Sequence, residues 1–173
     1  QIAHTSNQQR RFSKTKIDII KSLDLVIIDE ISMVRADVLD GIDQVLRRYK
    51  NKHKVFGGVQ ILMIGDLQQL APVVKPNEWS LLKEYYNTIY FFSAKAYQEA
   101  AVISIELQHI YRQKNEDFIK ILNEIRNDQL SETSAKVLNN RYQPAFSPHK
   151  DEEYITLTTH NNRASLINDS ELN

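Results

Sequence analysis

The run Leu25-Val26-Ile27-Ile28-Asp29-Glu30 sets four apolar residues directly against two carboxylates. An apolar run without alternation is the pattern of a strand buried on both faces of a parallel sheet. Its abrupt end places Asp29 and Glu30 at the carboxyl edge, where open α/β sheets carry their functional groups. Outward from this stretch, Ala36 to Tyr49 repeats Val38, Ile42, Val45, Leu46 and Tyr49 at three- and four-residue steps, which predicts an amphipathic helix. Gly57-Gly58 then marks a turn, and Val59 to Ile64 is a second apolar strand ending in Gly65-Asp66. Strand, helix and strand in close succession predict a βαβ unit with parallel strands and a right-handed crossover.

The remaining segments extend the same alternation. Ile17 to Leu23 predicts a short helix ahead of the first strand. Ile89-Tyr90-Phe91-Phe92 and Val102-Ile103-Ser104-Ile105 are further strand candidates, with a short helix from Lys95 to Ala100 between them. Phe118 to Arg126 and Thr133 to Asn139 predict helices, Tyr154 to Leu157 a strand, and Arg163 to Leu172 a last helix. Pro144, Pro148 and the acidic run Asp151-Glu152-Glu153 mark residues 143–153 as a linker. The fold class expected from this order is α/β.

Composition narrows the function. The chain has 173 residues, 42% of them hydrophobic and 25% charged, as in a globular domain with a core of its own. No apolar run approaches the roughly 20 residues a membrane span needs. The absence of cysteine excludes disulfides, thiol catalysis and cysteine-based zinc sites, and fits a cytoplasmic setting. Lys plus Arg and Asp plus Glu both total 22, so bulk charge announces no polyanionic partner. Local patches differ from the bulk: Arg10, Arg11, Lys14 and Lys16 near the start, and Arg47, Arg48, Lys50, Lys52 and Lys54 at the end of the first long helix. The second group would complement the helix dipole or contact a phosphate backbone. The four glycines, Gly41, Gly57, Gly58 and Gly65, form neither a G-x-x-x-x-G-K-[ST] nor a G-x-G-x-x-G phosphate loop. The chain opens on Gln1 and its methionines are Met33 and Met63, which leads us to expect a piece of a longer protein.

Three clusters carry chemistry. Asp29 is suited to hold Mg²⁺, directly or through water, and Glu30 to orient or deprotonate an attacking water. Gln69, in Gly65-Asp66-Leu67-Gln68-Gln69-Leu70-Ala71-Pro72-Val73, offers a neutral amide to a terminal phosphate or its attacking water. Arg112, in Leu107-Gln108-His109-Ile110-Tyr111-Arg112-Gln113, has the charge and geometry to neutralise transferring phosphoryl oxygens, or to form a surface ion pair. His109 has no second histidine or cysteine at metal-ligand spacing and reads as a packed or solvated side chain.

Asp29-Glu30-Ile31-Ser32-Met33-Val34, then Gly65-Asp66-x-x-Gln69-Leu70-x-Pro72-Val73, then Tyr111-Arg112-Gln113 with Phe118, Leu122-Asn123 and Ile125-Arg126, resemble motifs II, III and IV of the PIF-type (petite integration frequency) DNA helicases. These stand with RecD in the 5′-to-3′ branch of helicase superfamily one. Ile155-Thr156-Leu157-Thr158-Thr159-His160-Asn161, with Ala164 and Ile167-Asn168, is similar to the start of that family's second motor domain.

The resemblance implies ATP bound between two RecA-like domains, with hydrolysis driving steps along single-stranded DNA and the opening of duplex junctions. It implies that residues 1–142 are the later part of the first motor domain, 143–153 a linker, and 154–173 the start of the second. By motif, Asp29 would coordinate Mg²⁺, Glu30 would be the catalytic base, Gln69 would sense the γ-phosphate and Arg112 would contact it. Lys75 and the stretch after Pro72 would contribute DNA contacts. A DNA-associated role in repair or recombination follows. The family's phosphate loop is absent, so the isolated chain is expected not to hydrolyse ATP. Leu67 and Ala71 stand where the family often has an aromatic residue and proline, respectively. Two other readings compete: a Mg²⁺-dependent nuclease built on Asp29, Glu30 and Asp66, and a non-catalytic nucleic-acid-binding module.

Overall fold

The computed structural model describes residues 12–146 and 154–172. Most of the basic start, and the acidic run of the expected linker, lie outside the described residues. The chain divides into two compact units, with the boundary in sequence between His109 and Ile110.

The first unit holds α1 (Lys14–Ser22), β1 (Leu25–Ile28), α2 (Ala36–Tyr49), β2 (Gln60–Met63), α3 (Pro76–Leu82) and α4 (Lys95–Glu99). Strands β1 and β2 pair in parallel, Leu25 opposite Gln60 and Ile28 opposite Met63. The expected strand–helix–strand unit is therefore present. One expectation changes: burial alternates along both strands. Val26, Ile28, Ile61 and Met63 pack on a core of Ile31, Ala36, Leu39, Leu46, Phe56, Val59 and Phe91. Leu25, Ile27 and Leu62 lie on the opposite face and are exposed, so among the described residues this sheet is covered on one side.

The helix between the strands packs Ile42 and Leu46 of the expected stripe on the core but differs in its first turn. Leu39 is fully buried, whereas Val38 is 46% exposed. The buried positions are Ala36, Leu39, Asp40, Asp43 and Leu46, a helical stripe that includes two carboxylates. Burial of a carboxylate is tolerated where its oxygens are hydrogen-bonded. Asp40 accepts from the Tyr86 hydroxyl at 2.9 Å and from the Lys95 and Ala96 amides at 3.2 and 2.9 Å. It thereby caps α4 from a neighbouring helix. Asp43 accepts from the Phe56 amide and from Arg47 Nε. It anchors the turn into β2, where Gly57 has φ +63° and a Cβ would stand 2.5 Å from the Leu46 carbonyl oxygen.

Three expected strands are absent. Tyr90 makes a single antiparallel bridge to Arg35, and Phe91–Ser93 then turns as a 3₁₀ helix. Val102 to Ile105 and Tyr154 to Leu157 have no regular structure and are exposed, Ile103 and Ile155 each at 86%. A strand requires a neighbour to satisfy its amides, and none pairs with them among the described residues. Helix α3 was not expected. It starts with Pro76 at its first position, and Glu78 accepts from the Lys75 amide at 3.1 Å.

The second unit contains α5 (Glu116–Arg126), α6 (Glu132–Asn139) and α7 (Asn161–Leu172), close to the expected helices. Asn115 caps α5 and Ser131 caps α6 through their side-chain oxygens. The Glu124 carboxylate accepts from both the amide and the hydroxyl of Ser131, joining the two helices. No helix of the described residues is long and apolar enough to cross a membrane.

Asp40→Ala would strand three donors in the first unit. The expected loss is about 2–4 kcal/mol in urea denaturation, against less than about 1 kcal/mol for Val38→Ala. A Val38→Ala loss as large as that of Asp40→Ala would refute the observed helix orientation. Burial, then the hydrogen bond to Asp40, pushes the Tyr86 hydroxyl above its ordinary range. A raised folded-state value stabilises the fold at pH below the unfolded value and loses that contribution as pH climbs past it. Stability should fall above about pH 10, and Tyr86→Phe should flatten that alkaline decline in pH-dependent urea titrations.

Candidate functional site

Past the last paired residues of both strands, the two chains keep touching. The Ile64 amide donates to the Ile28 carbonyl at 2.9 Å, and the Ile64 carbonyl accepts from the Ile31 amide at 2.9 Å. One peptide position of the second chain thus holds both ends of a two-residue excursion in the first. The excursion is Asp29-Glu30. Both residues are exposed. Asp29 Oδ1 accepts from the Glu30 amide at 2.9 Å, and its other oxygen engages no described residue. Glu30 takes the left-handed conformation, φ 50° and ψ 45°. A non-glycine residue there costs on the order of 1–2 kcal/mol, and such outliers concentrate at functional sites.

Gly65 follows immediately. A Cβ on it would stand 2.9 Å from both Ile31 Cγ2 and the Ile31 amide nitrogen, and 3.3 Å from the Ser32 amide nitrogen. Here glycine is required by close approach, with the start of the second motif lying directly on the end of the first. Ser32 is buried beneath, and its hydroxyl has no hydrogen-bond partner among the described residues.

The loop beyond Gly65 is folded on Asp66. Its Oδ1 accepts from the Gln68 amide at 3.0 Å and its Oδ2 from Gln69 Nε2 at 3.2 Å. Gln69 is exposed, and with its amide nitrogen held it retains its side-chain oxygen as an acceptor. Pro72 is buried, while Leu70 and Val73 are exposed. At the far end of the loop, Glu78 on α3 accepts from Arg35 Nη1 at 3.1 Å. Arg35 also grips Asp37 through two bonds of 2.9 and 2.7 Å. The Lys75 amide holds the Glu78 carboxyl below the usual carboxylate range. Residues 65–78 are thus fastened at both ends to the segment that carries Asp29 and Glu30. The Arg35–Glu78 link escaped the sequence reading, although Lys75-Pro76-x-Glu78 is a legible helix start.

Arg112 belongs to the second unit, where it is exposed. Beside it, Gln113 Oε1 accepts from the Lys114 and Asn115 amides at 2.8 and 2.9 Å, leading into α5. Among the described residues no three histidine, aspartate or glutamate side chains converge as metal ligands.

Sequence and structure comparisons agree with one another. The model of the PIF1-like helicase family matches residues 2–136. ATP-dependent DNA helicase PIF1 of Rattus norvegicus is 32% identical over 148 residues, which are 85% of this chain and 22% of that protein. ATP-dependent DNA helicase RRM3 of Saccharomyces cerevisiae is 35% identical over 116 residues, 67% of this chain and 15% of that protein. The chain spans about a fifth of the length of the curated relatives it matches. Among solved structures, a Pif1 helicase from Bacteroides in complex with ADP-AlF3 and ssDNA superposes with a TM-score of 0.90 at 38% identity, over 99% of this chain and 40% of that one. The Candida albicans Pif1 helicase gives 0.74 at 25% identity, over 92% and 34%. The α/β, RecA-like architecture expected from the sequence is the architecture of these neighbours.

Two substitutions test the geometry of the excursion. Gly65→Ala should cost about 1–3 kcal/mol, since backbone rather than a flexible tip must move. Glu30→Gly should be more stable than Glu30→Ala by about 1 kcal/mol, because glycine relieves the left-handed strain. Equal denaturation midpoints for Glu30→Gly and Glu30→Ala would contradict the conformation described.

Proposed function

This chain belongs to the PIF1-like helicase family, and on that premise we propose that it forms part of an ATP-dependent DNA helicase, supplying the catalytic edge of its first motor domain. The observation that carries the reading is the Asp29-Glu30 excursion, pinned by Ile64 at the carboxyl edge of a parallel sheet and backed by Gly65. In this reading residues 1–142 are the later part of the first RecA-like domain, 143–153 the linker and 154–173 the start of the second.

The roles follow from the chemistry of each side chain. Mg²⁺ prefers oxygen ligands, keeps several waters and needs few carboxylates, which fits exposed Asp29, whose second oxygen engages no described residue. Bound there with nucleotide, the ion would neutralise charge on the phosphate oxygens. Glu30 would accept a proton from the attacking water. Gln69, steadied by Asp66, would present its side-chain oxygen to that water and so report whether the γ-phosphate is in place. Arg112 would neutralise charge on the transferring phosphoryl oxygens. The 173 residues contain no Gly-rich phosphate loop, so the phosphate cradle is assigned to residues outside them. Coupling of hydrolysis to 5′-to-3′ translocation on single-stranded DNA is part of the same proposal. It is supported by relatives named ATP-dependent DNA helicases and by neighbours solved with ssDNA and at forked dsDNA. Lys75 and the exposed stretch after Pro72 are the DNA contacts assigned to this unit.

The test uses the whole helicase, with its phosphate loop. Glu30→Gln should lower steady-state ATP turnover by about 10²–10⁴ while binding of a fluorescent nucleotide is kept. Arg112→Ala should lower turnover by about 10³–10⁵. Metal-dependent DNA cutting that needs no ATP and disappears in Glu30→Gln would replace the motor reading with the nuclease one.

A further inference from the structure

The crossover that links β1 to β2 returns α2 to the amino edge of the sheet, opposite Asp29 and Glu30. There Arg47, Arg48, Lys50, Lys52, His53 and Lys54 follow one another, with no carboxylate anywhere in residues 47–58. The structure sorts them. Arg47 is committed to Asp43 and Glu99, both at 2.7 Å. Lys50 donates to the Leu23 carbonyl, tying the end of α2 to the chain between α1 and β1. That contact brings Lys21, in the last turn of α1, to the same edge, where Asp24 joins Asp43 and Glu99 as acids. Arg48 lies over the Tyr49 ring, 5.3 Å from its centroid.

Lys52, His53 and Lys54 are exposed on the turn that follows α2, and neither lysine forms an ion pair with a described residue. Helix α2 ends at Tyr49. The favourable field of a helix terminus fades within its last turn, so dipole compensation accounts for Arg47 and Arg48 but not for Lys52 and Lys54.

We propose that this cationic collar is a second nucleic-acid contact, one that takes the phosphate backbone of duplex DNA. Single-strand sites combine positive charge with exposed aromatic platforms on which bases stack. The collar offers no row of such platforms: Phe56 is buried, Tyr49 is half-buried between Arg48 and Phe12, and the exposed ring there is the single imidazole of His53. A surface dominated by ammonium groups reads backbone charge, and the duplex offers it most densely, about one charge per 1.7 Å. The length of β1 separates the collar from Asp29 by roughly 13 Å, so a bound duplex leaves the carboxyl edge accessible. The choice of nucleic acid over another polyanion rests on the helicase reading; the collar itself does not.

The experiment is fluorescence anisotropy on the 173-residue chain without nucleotide, so that a failure of ATP hydrolysis cannot imitate its failure. The probes are a labelled blunt duplex of about 20 base pairs and its single strand, titrated between about 50 and 200 mM salt. Lys52→Glu with Lys54→Glu should weaken duplex binding at least tenfold and flatten the log–log salt slope by about 2, with a smaller effect on the single strand. Lys52→Ala with Lys54→Ala should give a weaker change of the same sign. Lys83→Glu with Lys114→Glu alters the net charge equally and should leave the slope unchanged. Equal losses in that control, equal losses for single strand and duplex, or binding of phosphatidylserine vesicles without binding of duplex would each overturn the proposal.

Discussion

A single residue, Ile64, organises the carboxyl edge of the sheet. Its amide and carbonyl hold Ile28 and Ile31, and the two residues between them have no choice but to leave the plane of the sheet. Satisfying backbone groups is obligatory once water is excluded, so this pair of bonds is as binding a constraint as any side-chain contact. The left-handed conformation of Glu30 is its consequence: a two-residue excursion between fixed ends needs one residue that turns back sharply. Gly65 is a second consequence. The bonded strands draw so close after Ile64 that a side chain at the next position would strike Ile31.

The support behind that edge is polar as well as apolar. Asp40 and Asp43 lie on the buried stripe of α2 and reach elements far away in sequence, Asp40 the start of α4 and Asp43 the turn into β2. Carboxylate bonds to backbone amides are directional, whereas hydrophobic burial is not. The two aspartates therefore fix where the helix stands, and Leu39, Leu46 and Phe56 supply the burial that holds it there. The Arg35 guanidinium does the same for α3, through Glu78. Placement of the functional loop thus depends on charge-assisted bonds at both ends of the crossover helix.

These facts explain what the sequence made legible. The apolar run before Asp29 and the helical repeat after it report burial and period, which are local, and they predict the two strands and α2 well. The same logic misplaced the strand at Val102 to Ile105, because an apolar run says nothing about whether a partner strand stands beside it. It also put Val38 on the inner face of α2 in place of Leu39, although it placed Ile42 and Leu46 there correctly. Pattern reading counts aspartate as a surface residue, and only the remote amides of Ala96 and Phe56 make Asp40 and Asp43 interior ones. Within the site, Asp29, Glu30 and Gly65 were legible as strand-end residues. The left-handed turn at Glu30 and the Arg35–Glu78 tie were not, since each depends on contacts between distant segments.

Charge follows the same geometry, and a formal net charge of zero conceals it. Helix α2 runs from the edge that bears Asp29 and Glu30 to the edge that bears Arg48, Lys52 and Lys54, so its dipole presents a positive end near the acids and a negative end near the bases. The chain has laid its charges along that dipole rather than against it. Two surfaces of opposite sign are thereby held apart by the length of a strand, and of the bases only Arg47 and Arg48 stand in the last turn of the helix, where its field reaches. An edge of exposed carboxylates suits a cation and the phosphates it accompanies; an edge of ammonium groups suits phosphates directly. One helix separates the acidic edge from the basic one, and its buried aspartates fix where that helix stands.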